Sequence, residues 1–188
     1  MAILILGLVL FLGIHLTRVV APGFREAQIA ASEGRWKGIY SVVSIAGIVL
    51  IVWGWHLYRP DAPELYEPPA WGRHVTPLFV LIGFILFAAA NAPAGYIRHY
   101  LKHPMLIGTI LWSGGHLLAN GDAASLILFG GVLAWAVVDL IAVIPRGDSA
   151  PKVVSTRSDV IAIVAGAIVF AVFGFWLHAW LFGVDPFA

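Results

Sequence analysis

An all-α polytopic membrane bundle of about six transmembrane helices is the fold class the sequence predicts, and three observations predict it. The 188 residues are 61% hydrophobic and only 11% charged, with a mean hydropathy of +0.93, which is too apolar for a water-soluble domain of this length. The apolar residues come in continuous runs of about 17–25 residues, the length that carries a helix across the hydrocarbon core. Within those runs polar and apolar positions do not alternate, as the strands of a membrane barrel would require.

The first run, Ala2 to Ala21, has no basic residue ahead of it and only Arg18 and Arg25 behind. It therefore reads as a retained anchor rather than a secretion signal. The second, Lys37 to Tyr58, and the third, His74 to Asn91, are separated by a segment rich in proline. The fourth, Pro104 to Ala119, is the shortest; Pro104 suits the first turn of a helix, and Asn120-Gly121-Asp122 reads as a stop and turn. The fifth spans Ala124 to Ile144 and the sixth Ser158 to Phe182. The polar connections Pro22 to Trp36, Arg59 to Arg73 and Asn91 to His103 are long enough for short interfacial helices at most, so residues 1–188 read as a single transmembrane domain.

Charge sets the expected orientation. Arg18, Arg25, Arg35, Lys37, Arg98, Lys102, Arg146, Lys152 and Arg157 follow spans one, three and five, whereas the other side has only Arg59 and Arg73. The positive-inside rule makes the first group cytoplasmic and both termini periplasmic, in a bacterial inner membrane. Trp53, Trp55, Tyr58, Trp71, Trp176 and Trp180 then cluster at the outer interface, and Trp36, Tyr40, Tyr96 and Tyr100 at the inner one. The expected partner is the lipid bilayer. A net charge of +1 without a basic stripe points away from nucleic acid.

Missing residue types exclude chemistries. Without cysteine there is no disulfide, no thioether-attached haem and no thiolate-held iron–sulfur cluster. The three lysines all sit in connections, which argues against an intramembrane Schiff base. No glycine-rich phosphate loop is present, and the glycines read as helix-packing positions; Gly114-Gly115 and Gly130-Gly131 would also let a flat cofactor approach the backbone.

The seven histidines remain. His56, His74, His103 and His178 fall near span ends, where a hydrogen-bonded interfacial ring is the plain reading, and His99 lies in a connection. His15 and His116 lie inside spans one and four, where an ionisable ring asks for a reason. Either each is a neutral ring bonded to a neighbouring helix, or both ligate metal. Two imidazoles in an apolar bundle without a carboxylate cluster suit haem b iron better than a hydrolytic zinc site. On a helix Trp112, Ser113 and Asn120 share the face of His116, as a stacking wall and hydrogen-bond partners. Asp139 and Arg18 occur at the depth of His15, so Asp139 is expected either to pair with Arg18 or to accept the second N–H of His15. By helix rise His15 lies about 9 Å, and His116 about 18–20 Å, from the cytoplasmic end of its span, so a shared iron asks for tilt.

The run His103-Pro104, Gly108, Trp112, His116-Leu117-Leu118, Asn120-Gly121-Asp122 and Phe129-Gly130-Gly131 resembles the signature of the NnrU family, as do Gly13-Ile14-His15 with Arg18, and Tyr40-Ser41. That family is similar to the plastid 15-cis-zeta-carotene isomerase, a multipass protein that uses haem b. The resemblance implies axial ligation by His15 and His116, with Ser113 standing where the isomerase has a cysteine. It also implies an association with denitrification proteins and with nitrite and nitric oxide metabolism. The expected work is redox or isomerase-like chemistry on an apolar or small gaseous ligand.

Two other readings stand beside this one. In a dihaem electron carrier, His103 and His116 would face two haems, His15 lying opposite the inner one and His56, His74 or His178 opposite the outer. In a haem-free accessory or transport protein, the histidines and Asp139 would form a polar path.

Overall fold

The computed structural model describes residues 1–147 and 149–187. The side chain of Arg146, one of the basic residues on the expected cytoplasmic side, lies outside what is described, as do Asp148 and Ala188, which fall within the single expected domain. The described residues form α1 (Ala2–Val20), α2 (Pro22–Ala31), α3 (Glu33–Tyr58), α4 (Gly72–Asn91), α5 (Tyr96–Leu101), α6 (Pro104–Ala119), α7 (Ala123–Val143), α8 (Arg157–Val172) and α9 (His178–Phe182). A five-residue π-helical turn, Phe173–Leu177, joins α8 to α9. Among the described residues five helical stretches are long and apolar enough to cross a membrane: α1, Glu33–Asp61, α4, α7 and Arg157–Phe182; α6, at 16 residues, is shorter.

Helix boundaries follow local chemistry. The second long helix starts at Glu33, one turn before the expected Lys37, because the Ser32 hydroxyl caps it by accepting from the Arg35 amide at 3.3 Å. Pro22 and Pro104 occupy first turns, where the missing N–H costs nothing. The connections Pro22 to Trp36 and Asn91 to His103 hold the short helices α2 and α5.

Contacts fix the directions. Gly7 faces Ile51, Phe11 faces Gly47 and Leu4 faces Gly54, so α1 and α3 are antiparallel. Gly83 lies against Gly108 and Thr76 against Gly115, which makes α4 and α6 antiparallel, and Ile85 against Gly166 with Gly95 against Asp159 adds α8 antiparallel to α4. Gly131 near Leu8 and Leu12, Trp135 beside His15 and Asp139 beside Arg18 set α7 parallel to α1. Thus α1, α4 and α7 run one way, and α3, α6 and α8 the other. Much of the outer surface is apolar, with Val9, Ile45, Ile141 and Val160 exposed, a surface that water would not tolerate but hydrocarbon satisfies.

The α1–α3 seam is closely packed. A Cβ at Gly54 would fall on the backbone of Leu4, and one at Gly7 would come 2.6 Å from the Ile51 amide. Close approach of this kind is how helices pack where no hydrophobic effect drives them together. Gly54→Ala is expected to cost about 1–3 kcal/mol through overpacking. By contrast Gly13, whose Cβ would meet nothing within 4 Å, should become slightly more stable as Ala, by up to about 1 kcal/mol of helix propensity. Unfolding titrations in mixed micelles read both, and equal effects would mean that the seam is not where these contacts put it.

At the end of the bundle where α1 begins, a polar knot joins the α3–α4 connection to the α6–α7 turn. The Ala123 amide donates to the Pro63 carbonyl at 2.9 Å and the Leu65 amide to the Gly121 carbonyl at 2.9 Å, with one backbone bridge between Glu64 and Asp122. The Tyr66 hydroxyl reaches the carbonyls of Leu117 and, at 2.7 Å, Asn120. Burial, and secondarily Asp122, raises the Tyr66 pKa, which keeps the group an O–H donor. Asp122, expected only as part of a turn, is 1% exposed. It caps α7 by accepting from the Ser125 amide (2.9 Å) and hydroxyl (2.6 Å), and it pairs with Arg59 at 3.2 Å.

Candidate functional site

At the opposite end of the bundle the helices part. Leu4, Leu8, Trp55, Ala124, Phe129 and Val132 close the half where α1 begins, whereas the half containing His15 holds an open cavity of about 1090 Å³, large enough for a drug- or cofactor-sized ligand. Its walls come from α1, α3, α6 and α7, and they include His15, Tyr40, Trp112 and Trp135. Arg25, Lys37, Arg98, Lys102 and His103 also line it, from the connections and helix ends at that end of the bundle.

His15 is held on the cavity wall from three directions. Its ring centroid lies 4.4 Å from Phe11, 4.9 Å from Tyr40 and 5.7 Å from Trp135. Its Nδ1 is 2.6 Å from the Phe11 carbonyl, and since a carbonyl only accepts, the neutral ring carries its proton on Nδ1 and leaves the Nε2 lone pair open. The backbone, not Asp139, therefore fixes the tautomer. Asp139, 2% exposed, instead takes its other expected partner, Arg18, at 3.0 Å. A buried carboxylate next to the ring is thereby matched by a guanidinium.

His116 sits in the closed half. Its ring stacks on Phe129 (4.3 Å) and lies 4.8 Å from Trp112 and 6.5 Å from His178; its Nδ1 donates to the Trp112 carbonyl at 2.7 Å. Of the residues expected around it, Trp112 does supply a wall and also lines the cavity. Ser113 is fully buried but donates to the Thr109 carbonyl at 2.6 Å. Asn120 donates to the His116 backbone carbonyl at 2.8 Å, not to its ring. Of the two glycine pairs, Gly115 packs against Thr76 and Phe79, whereas Gly114 faces open space.

Helix α7 serves as a ruler between the two rings. His15 is level with Trp135 and His116 with Phe129, six residues or about 9 Å apart in depth. Two imidazoles on one metal, each about 2 Å from it, would bring their nitrogens within roughly 4 Å. The structure does not bring His15 and His116 together in that way. It places His103 on the cavity of His15, and His178 against His116. The latter juxtaposition depends on the π-helical turn before α9, which no feature of the sequence signals. Tyr40 and Trp135 were also missed as neighbours of His15; Trp135 lies one turn from Asp139 on α7 and could have been found by that spacing. Among the described residues no group of three or more histidines and carboxylates forms a metal site.

A sequence model of the family described as NnrU protein matches residues 3–186. Comparison with curated proteins and with solved structures finds no match. Because the matched segment takes in both histidine environments and every helix that walls the cavity, the chain belongs to the NnrU family.

Proposed function

We propose that the chain holds haem b in the cavity beside His15 and performs redox or isomerase-like chemistry there, as a six-span protein of the bacterial inner membrane with both termini periplasmic. The observation that carries the proposal is the cavity itself: apolar and aromatic in its depth, bordered by basic groups, and walled by a histidine whose Nε2 lone pair is preserved. Alternation of helix direction supports six spans, and nine of the eleven basic residues fall in or beside the three connections at the cavity end.

The residues present would hold the group from one side: His15 would supply the nitrogen, the Phe11 carbonyl fixes the ring's tautomer, and Tyr40 and Trp135 fix its orientation. The Arg18–Asp139 pair keeps an uncompensated negative charge away from the site. Trp112 gives a flat wall on α6. When bound, haem b supplies an iron that exchanges single electrons and accepts small ligands. We further propose that this work belongs with nitrite and nitric oxide metabolism, in line with the family resemblance.

The reduced-minus-oxidised spectrum and haem content of the purified protein test this. One b-type haem per chain, lost in His15→Ala, is the expected result. His116→Ala separates two cases: haem is retained if His15 acts from its wall alone, and lost if His116 turns past Trp112 into the cavity. A protein without haem after growth with ample haem supply would sink the proposal in favour of the accessory or transport reading. A second reading, the dihaem electron carrier, draws on the placement of His103 with His15 and of His116 with His178. Two haems per chain would establish it.

A further inference from the structure

The backbone changes character where α5 meets α6. Lys102 has φ 58° and ψ −47° and is the only non-glycine with positive φ among the described residues. The His103 amide donates to the Leu101 carbonyl at 2.6 Å. These are the marks of a γ-turn centred on Lys102, of the hand that L-residues rarely adopt and that carries strain. Glycine would adopt this conformation with little cost. The chain instead places a lysine there, and Lys102 lines the cavity.

Charge around the cavity is unbalanced in the same direction. Its lining includes Arg18, Arg25, Lys37, Arg98 and Lys102 against Glu33 and Asp139. Both acids are already engaged, Glu33 with Lys37 at 2.8 Å and Asp139 with Arg18 at 3.0 Å. Arg98 spends one N–H on the Ala92 carbonyl at 3.1 Å, and Arg25 and Lys102 make no ion pair among the described residues. Surplus positive charge thus faces a space whose interior is apolar.

We infer that the strained turn is an anion clasp: Lys102, with Arg25 and Arg98, holds the carboxylates of an amphipathic tetrapyrrole whose apolar body fills the cavity. This rests on the haem reading above and adds to it the residues that select an acidic porphyrin edge. The strain at Lys102 is what a position accepts when its side chain must be aimed rather than merely present.

The test compares protoporphyrin IX with its dimethyl ester, which has the same body and no carboxylates, binding to the full chain in zwitterionic detergent. No iron is needed, so His15 ligation does not enter. The parent should bind the diacid at least about tenfold more tightly than the ester, the contribution of one or more charge-assisted contacts. Lys102→Met and Lys102→Gly should both shrink that preference to about threefold or less, as loss of one such contact predicts, and leave ester affinity unchanged. Lys102→Gly alone should also raise the thermal midpoint, because it relieves the backbone while losing the charge. A lysine that merely snorkels to lipid phosphate would leave the diacid preference intact in both variants, which would overturn the clasp. Equal binding of diacid and ester by the parent would overturn it too, while leaving the porphyrin cavity standing; binding of neither would remove both.

Discussion

Asp122→Ala is expected to destabilise the protein by about 4 kcal/mol, because two losses add. Asp122 is 1% exposed and pairs with Arg59, whose side chain is about a third exposed; breaking a buried pair costs about 3–5 kcal/mol, and the partial exposure of Arg59 argues for the lower end. The same carboxylate caps α7, and removal of such a cap costs about 1 kcal/mol. Asp122→Asn should recover the cap but not the charge, giving an intermediate loss. Reversible unfolding in mixed detergent micelles reads all three proteins. An alanine variant within about 1 kcal/mol of the parent would show that the knot at this end does not hold the α6–α7 turn.

The second large effect is expected at Asp139. Asp139→Leu removes a 2% exposed carboxylate from its 3.0 Å contact with Arg18. Since Arg18 retains 41% side-chain exposure, water and the cavity compensate in part, and a cost of about 2–3 kcal/mol follows, below the full buried-pair figure. Replacing both partners removes the desolvation cost of each charge. The Arg18→Leu/Asp139→Leu double variant should therefore return to within about 1 kcal/mol of the parent. If the double variant instead lost the sum of the two single losses, the groups would act independently and the ion pair would carry no coupling.

The architecture was legible in the sequence because hydropathy and length are themselves the physical constraint on a membrane helix. All six apolar runs correspond to helices, with ends displaced where a cap such as Ser32 extended them. The Arg18–Asp139 pair could be anticipated from two charges at matching depth, and the offset between His15 and His116 from counting helix rise. The neighbours of each histidine were less accessible. They depend on rotation about the helix axis and on which helices touch, and a helix that is apolar on every side gives no stripe from which to read either. The γ-turn at Lys102 and the π-helical turn before His178 were invisible for a related reason. Pro104 announces the start of α6 but not the positive φ two residues before it, and the π-helical turn carries neither a proline nor a glycine pair.

Helix α7 also governs how the bundle responds as a mechanical object. The α1–α3 pair lies on one side of α7 and the α4–α6–α8 group on the other, and α7 packs against α1 and α6. The arrangement is that of a book whose spine is α7, glued shut along one half of its height by Trp55, Phe129 and their neighbours and open along the other. Stiffness of the open half then depends on what lies between the covers. An occupant that touches α1, α3 and α6 at once becomes part of the binding of the book, and its departure leaves the pages free to swing while the glued half keeps the fold.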